Sequence, residues 1–291
     1  LLAGEVRLPF VYGHHLVLNK QKSLDFHPNG MIFRAVFNDG EVLEQDYYSV
    51  GGGFVATQEN NSIEEHCIRT LYPCHNGKDI IKYLNKLGLS KLSDLIYLNE
   101  ESWRSREETE KEALSIWKHI KECIYKGVNK QGILPGGLKV TRRAHDLNQK
   151  LLGDKVYKNM NEWFDAVISA PKDFTAVNKW ISCFALSVNE ENASFGRIIT
   201  APTNGASGVI PAVLMYSQAF TPHTSDEDII RFILVAGEIG TLFKKNATIS
   251  AAMGGCQAEI GVSSAMAAAG LTEIMGGSPE QVLMAAEIAM E

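Results

Sequence analysis

The texture of the sequence changes once, near Asn60, and that change limits the fold to a small β part followed by a much larger helical part. Between Met31 and Val55, two runs rich in β-branched and aromatic residues flank Asn38-Asp39-Gly40. An Asp-Gly step between two such runs predicts a pair of strands joined by a tight turn. Beyond Asn60 the segments Gly77 to Leu87, Ser105 to Lys126, Asn161 to Ala170 and Lys172 to Asn189 draw on strong helix formers, several with apolar residues recurring at three and four. Further helices are predicted over Ala206 to Phe220, from Ser225 to Lys244 behind a Ser225-Asp-Glu-Asp start signal, and after Ser278-Pro279-Glu280-Gln281. The expected class is therefore α+β: residues 1–60 as the C-terminal part of a β domain, and residues 61–291 as an all-helical domain. The last helix runs to Glu291 without a Gly, Asn or Pro stop signal, and the chain starts at Leu1 without methionine, so both domains are expected to continue past the ends of this sequence.

Composition excludes two classes of partner. A net charge of -6 argues against a surface that neutralises a phosphate backbone, so no nucleic acid is expected. No apolar run approaches the ~20 residues that a membrane-spanning helix needs, so no membrane is expected either. The cysteines, Cys67, Cys74, Cys123, Cys183 and Cys256, are odd in number and scattered, with no paired rhythm. That usage predicts reduced thiols and a cytoplasmic location.

Three glycine-rich stretches stand out in a chain this helical: Tyr47 to Phe54, Arg197 to Pro211 and Gly254 to Gly270. In the first, Gly51-Gly52-Gly53 follows a strand and reads either as a nest of amides for an anion or, with more weight, as a plain strand exit. In the second, Thr200-Ala-Pro-Thr-Asn-Gly-Ala-Ser-Gly208 precedes an apolar helix. First-turn amides and the helix dipole suit that place to a small carboxylate, and ordinary turn chemistry by Thr and Asn explains it equally well. In the third, Cys256 sits among glycines. From the residues alone it can be a ligand, a nucleophile or a small buried hydrophobe, the last being the commonest fate. The mixed charges from Glu100 to Glu112 read as a solvated helix face.

Six segments, in order, carry a resemblance: Tyr47-Tyr-Ser-Val-Gly-Gly-Gly-Phe54, Ile133-Leu-Pro-Gly-Gly137, Val188-Asn-Glu-Glu-Asn192, Arg197-Ile-Ile-Thr-Ala-Pro-Thr-Asn-Gly-Ala206, Gly255-Cys-Gln-Ala-Glu259 and Gly276-Gly-Ser-Pro-Glu-Gln281. Together they resemble the single-chain bacterial iron-sulfur L-serine dehydratases, from about Leu16 to Glu291. The resemblance implies a catalytic helical domain with a 4Fe-4S cluster, whose first of three cysteine ligands matches Cys256. The other two are expected after Glu291. Thr203, Asn204 and Gly205, in the polar loop ahead of the apolar helix, are the candidate substrate contacts. His27 and Asn29 follow from the match of His27-Pro-Asn29-Gly-Met31 to a loop of the β domain. The family's Ser-Ser-Ser-His segment has no match here, so the catalytic base is expected before Leu1. Lys244 is the weaker candidate within the chain, and a helix C-terminus explains that lysine better.

The implied reaction is dehydration and deamination of L-serine to pyruvate and ammonia, with a homodimer as the expected assembly. The rival readings are a pyridoxal-phosphate serine or threonine dehydratase, which requires alternating strands and helices, and a non-catalytic amino-acid-binding module.

Overall fold

Three antiparallel strands, β1 (Gly30–Val36), β2 (Val42–Gly51) and β3 (Phe54–Ala56), lie in the order β1-β2-β3. Register runs from Gly30 opposite Tyr48 to Val36 opposite Val42. The connecting turn is the expected one. Phe37 N–H donates to the Glu41 carbonyl at 2.9 Å, Gly40 sits at φ +89°, and the Asp39 side chain accepts from Glu41 N–H at 3.0 Å. Tyr48 is buried edge-on against Phe26, with ring centroids 4.6 Å apart. At the glycine triplet β2 ends at Gly51 and β3 begins at Phe54, while Gly52 and Gly53 lie outside the described residues.

The structure is a computed structural model that describes residues 7, 10, 11, 13–19, 21–51, 54–58, 69–222, 224–248 and 251–291. Its contacts separate the chain into Leu1–Glu65, which holds the sheet, and His66–Glu291.

The second unit is built from α1 (Gly77–Leu87), α2 (Leu92–Glu100), α3 (Arg106–Val128), α4 (Ala144–Leu152), α5 (Met160–Ile168), α6 (Phe174–Ala193), α7 (Val209–Phe220) and α8 (Asp226–Asn246). It continues through α9 (Ala251–Cys256), a π turn over Gln257–Gly261, α10 (Val262–Ile274) and α11 (Pro279–Met290). The class is thus α+β with the larger part helical. The alternation of strands and helices that the pyridoxal-phosphate reading requires does not occur among the described residues.

Local chemistry accounts for most helix starts. The side chains of Asn76, Ser105, Asn159, Asp173, Ser225 and Ser278 each accept from a first-turn amide. Such caps satisfy donors that a helix leaves without an internal partner. The charged run from Glu100 to Glu112 is a helix break rather than one continuous face, since α2 ends at Glu100 and α3 starts at Arg106. Arg104 pairs with Glu100 on one side of the break, and Arg106 with Glu110 on the other.

The core combines an aromatic group with a set of small residues. Trp180 stacks on Phe184 at 5.6 Å, and the buried Trp163 finds a partner for its indole N–H in Asn148 Oδ1 at 2.9 Å. Helix α10 packs against α7, α8 and α11, with Ala265 and Ala269 fully buried, so the turn that leads into it is held on a fixed support. Among the described residues no helix is long and apolar enough to cross a membrane.

Candidate active site

The π turn at the head of α10 presents two side chains of chemical interest. Gly255 has φ +62° and ψ -153°, a conformation that a residue with a Cβ rarely adopts, and it breaks the helical path just before Cys256. The Cys256 thiol is exposed as a result. Three residues on, Glu259 projects from a turn that carries one residue more than an α turn, an irregularity often found at functional sites.

Glu259 reaches the loop between α6 and α7. Thr203, only 8% exposed, donates its hydroxyl to Glu259 Oε1 at 2.7 Å. Gly205 lies directly beneath the same carboxylate, because a Cβ there would stand 3.0 Å from Glu259 Oε1. A side chain at position 205 would therefore have to displace the carboxylate.

The rest of the loop is pinned from both sides. The Asn204 carbonyl accepts from Ser207 Oγ at 2.7 Å and from Asn192 Nδ2 at 3.1 Å. Its side-chain amide donates to Asn192 Oδ1 at 3.2 Å, and its Oδ1 accepts from Thr200 Oγ1 at 3.2 Å. From α10, the Ser263 hydroxyl donates to the Ala206 carbonyl at 3.3 Å. The turn chemistry expected of Thr and Asn is present, and helix α7 starts at Val209, three residues later than the apolar pattern suggests. Asn204 and Gly205 remain exposed at the head of this helix.

A buried ion cluster fixes the end of α6 that supplies Asn192. Glu191, 2% exposed, accepts from Arg142 Nη1 at 3.1 Å through one oxygen and from Lys130 Nζ at 2.6 Å through the other. Arg142 also donates to Ser194 Oγ at 2.5 Å.

The cysteines divide sharply. Burial pushes the thiols of Cys74 and Cys183 up to about 12 and that of Cys123 up to about 11, which keeps them protonated at neutral pH. Cys256 is the exposed free cysteine among the described residues, and Cys67 lies outside them. An iron-sulfur cluster is held by several thiolates. Cys256 fits such a role as one ligand. Among the described residues no group of three or more His, Cys, Asp or Glu side chains converges to complete the set.

The remaining sequence candidates belong to other elements. His27 and Asn29 belong to the unit with the sheet, where Asn29 N–H donates to His27 Nδ1 at 3.1 Å and the Asn29 carbonyl accepts from Ser49 N–H at 2.9 Å. Lys244 occupies the exposed last turn of α8, where a cation meets the negative end of the helix dipole. Glu259 was not among the sequence candidates. The signal was available: a lone carboxylate three residues after Cys256 in a run of small and apolar residues.

With this geometry in hand, comparison with known proteins is decisive. The family described as the serine dehydratase alpha chain matches residues 86–291, and the serine dehydratase beta chain matches residues 1–60. The chain belongs to the serine dehydratase family. It is 42% identical to an L-serine dehydratase of Streptomyces coelicolor over 294 residues, which cover 100% of this chain and 61% of the relative. It is 43% identical to L-serine dehydratase 2 of Escherichia coli over 270 residues, covering 92% of this chain and 56% of the relative. It is 38% identical to an L-serine dehydratase of Helicobacter pylori over 296 residues, with 100% and 61% covered. The chain thus spans between about half and two thirds of the length of these curated relatives. The alpha-chain match takes in both the Thr203 loop and the Cys256 turn.

Proposed function

We propose that this serine dehydratase chain is part of an enzyme that converts L-serine to pyruvate and ammonia with a 4Fe-4S cluster. In this reading residues 1–60 belong to a β domain and residues 61–291 to the catalytic helical domain. The observation that carries it is the 2.7 Å hydrogen bond from Thr203 to Glu259, which draws the polar loop at the head of α7 to the turn that bears Cys256.

The chain's own residues supply binding and orientation. Thr203, Asn204 and Gly205 receive the carboxylate of serine at the start of α7, where backbone donors and the helix dipole favour an anion. Asn192 and Ser263 hold that loop in shape through its carbonyls. The Cys256 thiolate is one ligand of the cluster, and two further cysteines are expected beyond Glu291. When bound, such a cluster supplies a Lewis-acidic iron that takes up charge at the leaving hydroxyl. A base must remove the α-proton as water leaves. A histidine preceding Leu1 is assigned that task ahead of Lys244. His27 and Asn29 are assigned to contacts with substrate or product made by the β domain. The free state of Cys74, Cys123, Cys183 and Cys256 supports a reducing, cytoplasmic setting, and two copies are the expected assembly.

The test is turnover by the full-length protein prepared without oxygen. L-serine should yield equal amounts of pyruvate and ammonia, alongside a broad brown absorption that oxygen bleaches. Turnover that survives iron chelation and exposure to oxygen would contradict the proposal.

A further inference from the structure

Serine is a zwitterion at neutral pH, so a site that selects it must provide an acceptor for the ammonium group as well as donors for the carboxylate. The buried and half-buried glutamates around the Thr203 loop are mostly committed to other work. Both oxygens of Glu191 are taken by Arg142 and Lys130. Glu190 accepts from the backbone N–H of Arg143 at 2.6 Å and of Ala144 at 3.2 Å, at the head of α4. Glu259 differs from both.

Among the described residues no lysine, arginine or histidine pairs with Glu259, and Thr203 is its hydrogen-bond donor. That single bond orients Oε1 and leaves Oε2 for another donor. The side chain is half-buried, so the carboxylate is partly removed from water without a cationic partner among the described residues. Its carboxylate lies against Gly205, at a position where the loop has no side chain to intervene. The loop that faces the substrate's carboxylate and the group able to face its ammonium are therefore in direct contact.

We propose that Glu259 is the acceptor for the substrate's α-ammonium group and that it sets the preference of the site for amino acids over hydroxy acids. This inference rests on the dehydratase reading given above. Thr203 acts through Glu259 here, as the group that holds the carboxylate in position.

The experiment compares L-alanine with L-lactate, which differ only in carrying an ammonium or a hydroxyl at the α-carbon. Neither has a leaving group at the β-carbon, so binding to the full-length protein with its cluster can be followed by calorimetry without turnover. Wild-type protein should bind L-alanine at least about tenfold more tightly, as expected for a charge-assisted hydrogen bond replaced by a neutral one. In E259Q the preference should vanish through weaker binding of L-alanine, with L-lactate unchanged or tighter. E259D keeps the charge on a shorter stem and should retain part of the preference. A purely structural role for Glu259 would weaken both ligands equally, and that result would overturn the proposal, as would an unchanged preference in E259Q. If E259Q does not fold, E259D decides the question: an undiminished preference overturns the proposal, a reduced one supports it. Failure of the underlying reading shows separately, as wild-type protein that forms no pyruvate from L-serine.

Discussion

Replacing Thr203 by valine removes one hydroxyl and leaves shape and volume nearly unchanged, so it isolates the bond that joins the α6–α7 loop to the Cys256 turn. The donor is mostly buried and the bond, at 2.7 Å, is short and ends on a carboxylate. Hydrogen bonds to charged groups contribute about 1.5–3 kcal/mol. Because Glu259 is half-buried, water can partly replace the lost donor, which places T203V near the lower end, at about 1.5 kcal/mol. For a domain of roughly 150–250 residues each kcal/mol moves the midpoint by about 2–4 °C, so Tm should fall by about 3–6 °C in a calorimetric scan. A double-mutant cycle with E259A separates this bond from the individual side chains. If the two groups act through each other, the double variant should be more stable than the sum of the singles by about 1 kcal/mol or more. Additivity within about 0.3–0.5 kcal/mol would show that the two do not couple and would remove the link on which the site is built.

Three further outcomes follow from the same structure. Mild alkylation of the folded protein stripped of iron, read by mass spectrometry, should label Cys256 and spare Cys74, Cys123 and Cys183, whose thiols burial keeps protonated; labelling of Cys183 at a comparable rate would contradict the assigned burial. R142M strips the buried Glu191 of one of its two cationic partners, and breaking such a pair costs on the order of 3–5 kcal/mol, so a change in Tm below about one degree would refute the cluster's role. The carboxyl of Glu238 is held above its usual range, chiefly by burial and further by Glu100, with Lys245 opposing. A group whose folded value is raised adds stability below its unfolded value, and that contribution is lost as pH rises through the folded one. E238Q should therefore raise Tm at neutral pH and lose that advantage below about pH 4; a lower Tm at neutral pH would contradict the assignment.

Most of the helices that could be read from the sequence carry their own start signals, while α7, which has no side-chain cap, is legible from its apolar run. Ser105, Ser225 and Ser278 each close a capping box with the residue three positions on, and all three are visible as letters. Helices α2 and α4 escaped because their caps come from distant parts of the chain. Their flanking residues, Lys91 and Arg143, make no side-chain cap. Instead Glu273 of α10 accepts from Ser93 N–H at 3.0 Å in α2, and Glu190 of α6 accepts from Arg143 and Ala144 N–H at the head of α4. At nine residues each, both are also too short for apolar periodicity to stand out. The strand β3 was missed for a related reason, since three residues carry almost no pattern.

The same distinction governs the site. Cys256, Thr203, Asn204 and Gly205 could be singled out because glycine-rich segments in a helical chain call for a reason. Their convergence could not, because it depends on a π turn that rotates Glu259 toward a loop 56 positions away. A π turn has no sequence signature of its own; here it lies between the break at Gly255 and the packed helix α10.

Iron content of the full-length protein, prepared without oxygen, with Cys256 intact or replaced by alanine, tests the central assignment most directly. The expected result for C256A is loss of bound iron, of the brown absorption and of pyruvate formation, with helix content by circular dichroism unchanged. Iron and turnover both retained in C256A would remove Cys256 from the metal site.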